Sequence, residues 1–254
     1  MPQQSIIINN QLVVYARFGE SNGRTPLLFL HGWRSSGQVF RSLIEKLTTH
    51  GRTCIALNLP GFGGSEPPKT TFMVSDYVEV VIAFLEKLNV PKVILVGHSF
   101  GGRVGIKIAA TKPDKIEKLI LVDSGGIRKD SLVRDLKTML AKMVRPIFKL
   151  KALQSLRAKI YHLLGASDYL ATPELKETYV NVVREDLQEA LGQIKTPTLI
   201  VWGEKDKETP VNDGELMFEQ ISGSKLVVLS GAGHFSFLDK PEEFTKALTD
   251  FLSS

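Results

Sequence analysis

The stretch VILVGHSFGG, residues 93–102, decides the fold. Its first four residues are apolar, as in a buried strand, and a helical spacing of apolar residues follows over 103–111. Between the two lies Ser99, with a glycine two positions before it and another two positions after it. This pattern is typical of a sharp turn from a strand into a helix, where larger flanking side chains would collide with the neighbouring elements. The stretch therefore predicts that Ser99 occupies a strained turn at a strand end.

On both sides of this stretch, short apolar runs alternate with helical patterns, which indicates βαβ units and a largely parallel sheet. Residues 5–18 predict an antiparallel hairpin that turns at Asn9-Asn10. Further strands are predicted over 26–30, 53–57, 92–96, 118–122, 197–201 and 225–229, and helices over 36–49, 75–88, 103–111 and 241–252. The predicted fold class is α/β, with a mostly parallel eight-stranded sheet flanked by helices.

The β pattern is interrupted once. Only helical periodicity is found over residues 127–190, where prolines and a glycine break it into short segments. We interpret this segment as a helical cap inserted into a core formed by residues 1–126 and 191–254. The cap is strongly basic, since residues 128–159 contain ten Lys or Arg and two Asp, a local net charge of +8 against +5 for the whole chain.

Length and composition are those of an ordinary globular protein: 254 residues, 43% hydrophobic and 23% charged. No apolar run approaches the ~20 residues that cross a bilayer. The N-terminus shows no basic region followed by an apolar stretch and a cleavage site. We therefore expect a cytoplasmic protein without a membrane span. The single cysteine, Cys54, excludes an internal disulfide and lies in an apolar run, which favours a buried thiol. The sequence implies no cofactor and no metal.

Ser99 is the candidate nucleophile. A serine hydroxyl is a weak nucleophile at neutral pH, so it needs a base within hydrogen-bond reach. Among the five histidines, His234 is the candidate base, because its Gly-rich loop follows the last predicted strand and can bring an imidazole over the carboxyl edge of the sheet. Two others, His31 and His98, flank predicted strand ends.

The base in turn needs an acid that fixes its tautomer and stabilises the imidazolium. Asp206 is the candidate, because it follows a predicted strand by a few residues. Glu204 and Glu208 are close rivals on the same loop, and Asp123, at the end of another strand, is the alternative acid. With Asp206 the chain order is Ser, Asp, His, the order known for α/β-hydrolases rather than for chymotrypsin or subtilisin.

Attack on a carbonyl also creates an oxyanion that backbone N–H groups must stabilise. We predict that one N–H comes from Phe100, the residue after the nucleophile, and the other from Trp33, which follows His-Gly at the end of an earlier strand. Trp33, Phe100 and Phe235 are expected to line the substrate site. The alternative for the Trp33 indole is packing beneath the cap.

Five motifs in this order resemble those of the α/β-hydrolase superfamily, in particular its compact capped members. They are HGW at 31–33, LPGFGGS at 59–65, GHSFGG at 97–102, VWGEKD at 201–206 and GAGH at 231–234, and the resemblance covers residues 11–254. It implies the α/β-hydrolase fold with an inserted cap. Similar sequences include carboxylesterases, lactonases, meta-cleavage C–C hydrolases, perhydrolases, hydroxynitrile lyases and acyltransferases, so the resemblance leaves the substrate open.

The chain departs from the patterns of family members at three places, two of which disfavour particular activities. Relatives that act on haloalkanes or epoxides carry Asp where this chain has Ser99, so both activities are disfavoured. Asn58 stands where family members often have Asp, and we interpret it as structural because it lies outside the predicted triad. The C–C hydrolases tend to carry a longer glycine-rich stretch after His-Gly, whereas WRSS at 33–36 follows here, which disfavours that activity.

These patterns predict a serine hydrolase that cleaves carboxylic esters of small to medium acyl chain through an acyl-enzyme intermediate. The alternatives are a ligand receptor without turnover, since hormone receptors with intact triads are known in this fold, and a C–C hydrolase or lactonase with the same triad.

The basic cap has two interpretations. Solvated surface charge is favoured, because surface charge is often inert. The other is an anionic substrate or an acyl carrier, as in esterases that cleave methyl esters from carrier-bound acyl chains. Its candidate residues are Arg145, Lys149, Lys151, Arg157 and Lys159. No nucleic acid is expected, since no recognised nucleic-acid-binding motif accompanies the charge.

Overall fold

The computed structural model of the protein describes residues 3–20, 23–128 and 172–254. Within these residues eight strands form a single sheet in the order β1-β2-β4-β3-β5-β6-β7-β8. The strands are β1 (Gln4–Ile8), β2 (Gln11–Phe18), β3 (Leu27–Leu30), β4 (Cys54–Leu57), β5 (Val93–His98), β6 (Ile116–Val122), β7 (Thr198–Gly203) and β8 (Lys225–Leu229).

Helices connect the strands in the described part of the chain. They are α1 (Arg41–Thr49), α2 (Val74–Lys87), α3 (Phe100–Thr111), α4 (Lys176–Arg184), α5 (Gln188–Leu191), α6 (Val211–Gln220), α7 (Ser236–Asp239) and α8 (Pro241–Ser253), with short 3₁₀ turns at Gly37–Phe40, Pro113–Lys115 and Pro173–Leu175. None of the described helices is long and apolar enough to cross a membrane.

The sheet is antiparallel only at its N-terminal edge. β1 pairs with β2, and β2 with β4, in antiparallel register, whereas the other six strands, β3 to β8, run parallel to one another. Asn9 and Asn10 both have positive φ, 49° and 59°, which is the conformation that a tight hairpin turn requires. The predicted hairpin and the predicted α/β class with eight strands are confirmed.

The core lies on both faces of the sheet. In β3, for example, Leu28 and Leu30 pack on the side of α2 and α3, whereas Leu27 and Phe29 pack on the side of α1 and α8. Every residue of β3, β4, β5 and β7 is buried, which explains why these strands are continuous apolar runs rather than alternating patterns. The Cys54 thiol is buried and free, as expected.

The structure differs from the sequence-based expectations at three places. Helix α3 begins at Phe100, three residues before the predicted start, so Ser99 immediately precedes the helix. Helices α6 and α7 were not expected. Of the predicted cap, only residues 127, 128 and 172–190 are described, and Pro173 opens a 3₁₀ turn before α4. Most of the cap lies outside the described residues, and its domain limits stay a prediction.

Candidate active site

The turn at Ser99 is held by two close backbone approaches. A Cβ on Gly101 would lie 2.1 Å from the Leu30 carbonyl oxygen, and one on Gly97 would lie 2.6 Å from the Gly101 carbonyl oxygen. Neither position can therefore carry a larger residue without moving backbone, as the sequence predicted. Ser99 itself has φ 52°, a strained value for a residue with a side chain. Because β5 ends and α3 begins on either side of it, its hydroxyl stands at the carboxyl edge of the sheet.

Three residues that are far apart in the sequence meet at this edge. Ser99 Oγ lies 3.1 Å from His234 Nε2, and His234 Nδ1 lies 2.8 Å from Asp206 Oδ2. They come from the turn after β5, the loop after β7 and the loop after β8. The structure thus brings together the serine, histidine and aspartate that the sequence singled out.

Asp206 is fixed by its own loop. Its Oδ1 accepts hydrogen bonds from the backbone N–H groups of Glu208, at 2.8 Å, and Thr209, at 3.0 Å. Its Oδ2 accepts the Thr209 hydroxyl at 2.8 Å in addition to the His234 imidazole. The carboxylate therefore has donors on both oxygens, although its side chain is fully buried. A buried carboxylate with this many donors is held in one orientation.

The electrostatics of the pair favour an ionised acid beside a basic imidazole. Burial alone would lower the pKa of His234, but the hydrogen bond and charge of Asp206, with smaller contributions from Glu208 and Asp123, raise it above the usual value. For Asp206, burial opposes ionisation, but the bonds from His234 and Thr209 hold its pKa below the usual value. Stabilising the imidazolium is what a proton-accepting base requires.

Two of the other acids considered from the sequence, Asp123 and Glu204, are bonded elsewhere. Asp123 is buried beneath the site, where Oδ1 accepts the Gly203 N–H and Oδ2 accepts the N–H and hydroxyl of Ser236. Burial raises the pKa of Asp123 to about 7 despite these donors. Glu204 is exposed and accepts the Ser230 hydroxyl and the Gly231 N–H, so it anchors the base loop without touching the base.

Glu208 approaches His234 from the opposite side. Its Oε2 lies 3.4 Å from His234 Nε2, while its side chain remains 68% exposed. Nε2 therefore faces both the Ser99 hydroxyl and a second carboxylate. Sequence reasoning named Glu208 only as a rival acid, and no pattern in the sequence indicated this contact.

The segment at residues 31–33 runs directly beside Ser99. A Cβ on Gly32 would lie 3.0 Å from His98 Nδ1 and 3.2 Å from Ser99 Cβ, so a larger residue would press against both side chains. His31 holds the segment in place: Nε2 accepts the Leu59 N–H at 3.0 Å, which puts the proton on Nδ1, where it bonds the Gly32 carbonyl at 2.7 Å. Burial lowers the pKa of His31 to about 4, so the imidazole is neutral. Its role is structural.

Both residues expected to supply oxyanion N–H groups lie beside the nucleophile. Phe100 is the first residue of α3, so its N–H has no acceptor within the helix and points out of the helix N-terminus. Trp33 follows Gly32, and its ring packs edge-on against the Phe100 ring, with 5.2 Å between centroids. These positions fit the predicted hole, whose role in binding an oxyanion stays a prediction.

An aromatic cluster borders this side of the site. The Trp33 ring also contacts the rings of Phe62 and of Tyr179 in α4, with 4.9 Å and 5.3 Å between centroids. This position fits both roles predicted for the indole, at the substrate site and beneath the predicted cap. Among the described residues, the buried Trp33 indole N–H has no acceptor. On the opposite side, Phe235 is 37% exposed and its ring centroid lies 5.6 Å from that of His234.

His98 ties the nucleophile strand to the base loop, a role that the sequence did not reveal. Its Nε2 lies 2.8 Å from the His234 carbonyl oxygen and donates to it. Burial lowers the pKa of His98 to about 3, so the ring is neutral and carries its proton on Nε2. His98 thus fixes the backbone of His234, the candidate base for Ser99.

Asn58 has the structural role expected for it. Its Oδ1 accepts the Gly37 N–H at 2.7 Å, and its Nδ2 donates to the Gly63 carbonyl at 2.6 Å. One side chain therefore provides an acceptor on one side and a donor on the other, which an amide can do and a carboxylate cannot. The bonds fix the turn that carries Phe62 against Trp33.

Two further expectations concern the surroundings of the site. The basic candidates for a carrier or anionic substrate, Arg145, Lys149, Lys151, Arg157 and Lys159, lie outside the described residues. Within residues 3–20, 23–128 and 172–254, no group of three or more His, Cys, Asp or Glu side chains is arranged to hold a metal ion.

Comparisons with known proteins place the chain in a family of known fold. A family model described as alpha/beta hydrolase fold matches residues 25–170 and 174–241. The chain is 30% identical over 261 residues to the uncharacterized hydrolase YugF of Bacillus subtilis, with 94% of each chain covered. It is 29% identical over 250 residues to the pimeloyl-[acyl-carrier protein] methyl ester esterase of Pectobacterium carotovorum, covering 91% of this chain and 96% of that protein. Among solved structures, a hydrolase from Pseudomonas aeruginosa matches with a TM-score of 0.79 at 22% identity, over 99% of this chain and 98% of the other.

Proposed function

Because the chain belongs to the α/β-hydrolase family, we propose that it is a serine hydrolase that cleaves carboxylic esters of small to medium acyl chain. The observation that carries the proposal is the unbroken hydrogen-bond chain from Ser99 through His234 to Asp206. A hydroxyl bonded to an imidazole that is itself oriented by a carboxylate is the arrangement that activates serine for acyl transfer.

In the proposed reaction, Ser99 Oγ attacks the ester carbonyl carbon while His234 Nε2 accepts the hydroxyl proton. The carbonyl oxygen becomes an oxyanion, which the backbone N–H groups of Trp33 and Phe100 stabilise. The bond from carbon to the leaving oxygen then breaks, and Nε2 gives its proton to that oxygen. Water attacks the acyl-enzyme with His234 again as base, releasing the acid and restoring Ser99.

The acyl chain lies, in this proposal, on the side of the Trp33, Phe62 and Phe100 rings, because these apolar surfaces border the predicted oxyanion hole. The leaving alcohol lies on the side of His234 Nε2, because that nitrogen must protonate it. The two halves of the substrate thus meet different surroundings, one aromatic and one polar.

The test is turnover of p-nitrophenyl esters of increasing acyl length by the wild type and by Ser99→Ala, combined with labelling by a fluorophosphonate. We expect multiple turnovers by the wild type and a loss on the order of a millionfold in kcat for the variant, by analogy with other serine hydrolases. The acyl length with the highest kcat/KM indicates how long an acyl chain the site accommodates. Retained turnover in Ser99→Ala would refute Ser99 as nucleophile.

The same experiment separates the alternatives. Labelling at Ser99 without ester turnover would favour a ligand receptor, or an enzyme for another bond. Turnover of lactones or of meta-cleavage C–C substrates would then distinguish a lactonase from a C–C hydrolase. The stretch after His-Gly argues against C–C hydrolysis, because it is short of the glycines that those relatives tend to carry.

A second candidate substrate is a methyl ester of an acyl chain on an acyl carrier protein. It is supported by the relative from Pectobacterium carotovorum, which is named as such an esterase. The excess of Lys and Arg over residues 128–159 is suited to an acidic carrier. A higher kcat/KM for the carrier-bound methyl ester than for the same free methyl ester would support this candidate, and equal values would exclude a role for the carrier.

A further inference from the structure

His234 lies between two carboxylates that have different exposure. Asp206 contacts Nδ1 with a fully buried side chain, whereas Glu208 Oε2 lies 3.4 Å from Nε2 with a side chain that is 68% exposed. Glu208 is also tied to the triad acid through its backbone, whose N–H donates to Asp206 Oδ1 at 2.8 Å. The loop after β7 thus places one carboxylate behind the base and another at its reacting face.

The reacting face of His234 is where the leaving group must lie. In acyl transfer, Nε2 first takes the proton from Ser99 Oγ and then gives it to the leaving oxygen, so this oxygen comes within hydrogen-bond distance of Nε2. Since Glu208 Oε2 is 3.4 Å from the same nitrogen, the leaving oxygen lies within about two hydrogen-bond lengths of the Glu208 carboxylate. Substituents two or three bonds beyond that oxygen are therefore within reach of this carboxylate.

We propose that Glu208 is a specificity-determining residue on the leaving-group side of the site, which favours esters of cationic alcohols over neutral or anionic ones. The inference rests on the proposed ester hydrolysis and names the alcohol half of the substrate class. A carboxylate attracts a cationic alcohol by about 1 kcal/mol in water at 4 Å, which corresponds to roughly fivefold in kcat/KM, and it repels an anionic one by a similar factor. Because Glu208 is exposed, salt weakens the effect.

Glu208 also acts on the base itself. The charged and titratable groups that face His234 are Asp206 and Glu208 from the loop after β7, Asp123 from the end of β6, and His98 from the end of β5. His98 is neutral, and Asp206 and Asp123 remain in place when Glu208 is changed. Removing the Glu208 charge therefore lowers the pKa of His234, and the acid limb of the kcat/KM profile moves to lower pH.

The test compares two esters of equal shape. Butyrylcholine and 3,3-dimethylbutyl butyrate differ only in a quaternary nitrogen in place of a carbon, and both are assayed by acid release in a pH-stat. We expect the ratio of their kcat/KM values to fall about three- to fivefold from the wild type to Glu208→Gln at low salt, and the difference to shrink at 0.5 M salt. Glu208→Asp keeps the charge and should retain most of the wild-type ratio.

Glu215→Gln is the matched control. It removes the same charge from an exposed position on α6 and should leave both the ratio and the pH profile as in the wild type. An unchanged ratio in Glu208→Gln, or an equal fall in Glu215→Gln, would overturn the inference. If the wild type hydrolyses neither of these esters nor any p-nitrophenyl ester, both the proposed function and the inference are wrong. If the wild type hydrolyses the esters without preferring the cationic one, only the inference is wrong.

Discussion

Replacement of Asp206 by asparagine should nearly abolish activity, although the two side chains have almost the same shape. The reason lies in the four hydrogen bonds that Asp206 accepts. Oδ1 takes two backbone N–H groups, from Glu208 and Thr209, and only an oxygen can accept them. The amide oxygen of the asparagine must therefore occupy this side, and its NH₂ group must face His234 and the Thr209 hydroxyl.

This orientation satisfies every group except the base. Thr209 Oγ1 can accept one N–H of the amide while it donates to the Asp123 carbonyl oxygen, 3.0 Å away. The other N–H donates to His234 Nδ1, which forces the imidazole proton onto Nε2. With its proton there, Nε2 cannot take the proton of Ser99. A wrong tautomer of this kind lowers kcat by about 10⁴ in a serine protease, or about 5.4 kcal/mol of transition-state stabilisation.

The assay is kcat/KM for p-nitrophenyl butyrate at pH 7, together with ¹⁵N NMR of the histidine nitrogens, which identifies the protonated one. Thermal unfolding of the variant serves as the control for folding. More than a tenth of the wild-type kcat/KM in Asp206→Asn, or a proton that remained on Nδ1, would contradict this role of Asp206. In that case another acid, Asp123 above all, would be orienting the base.

Two further changes test the scaffold around the site. Asn58→Asp turns a donor into an acceptor against the Gly63 carbonyl, so we expect a loss of about 1–3 kcal/mol in the free energy of unfolding at pH 8 and a smaller loss at pH 4, where a protonated carboxyl can donate. Equal stability of variant and wild type in urea at both pH values would show that the turn reorients instead. For Asp123, the folded-state pKa of about 7 exceeds the value in the unfolded chain, so the folded state holds a proton that the unfolded state has lost between about pH 4 and 7. The wild type should therefore lose stability over this range as the pH rises, relative to Asp123→Asn, and parallel pH dependences of the two proteins would contradict the assignment.

The elements around the site follow from the sequence because their signals are strong. Strands buried on both faces give continuous apolar runs, and the carboxyl ends of parallel strands meet at one edge, so residues that follow β5, β7 and β8 were expected together. The need for glycine at 97 and 101 could also be predicted, because a strand that turns sharply into a helix brings these positions against α3 and β3.

Other features depend on tertiary contacts that no local pattern encodes. Helix α6 contains Gly214, which weakens the helical signal, yet a Cβ there would lie 2.6 Å from the Trp202 ring. The start of α3 was predicted three residues too late because Gly101 and Gly102 weaken the helical signal, although a Cβ at either position would collide with a neighbouring residue. The contacts of His98 and Glu208 with His234 depend on how two loops fold against each other, which periodicity cannot show.

The distance along the chain between the parts of the triad has a consequence for synthesis. Ser99 and His234 are 135 residues apart, and the base follows the last strand of the sheet. Since a chain leaves the ribosome from its N-terminus, the turn that holds the nucleophile is complete long before the base emerges. In the proposed mechanism, a nascent chain with β1 to β6 already paired would carry an unactivated Ser99 hydroxyl. The proposed reactivity would begin only when β7, β8 and their loops have docked.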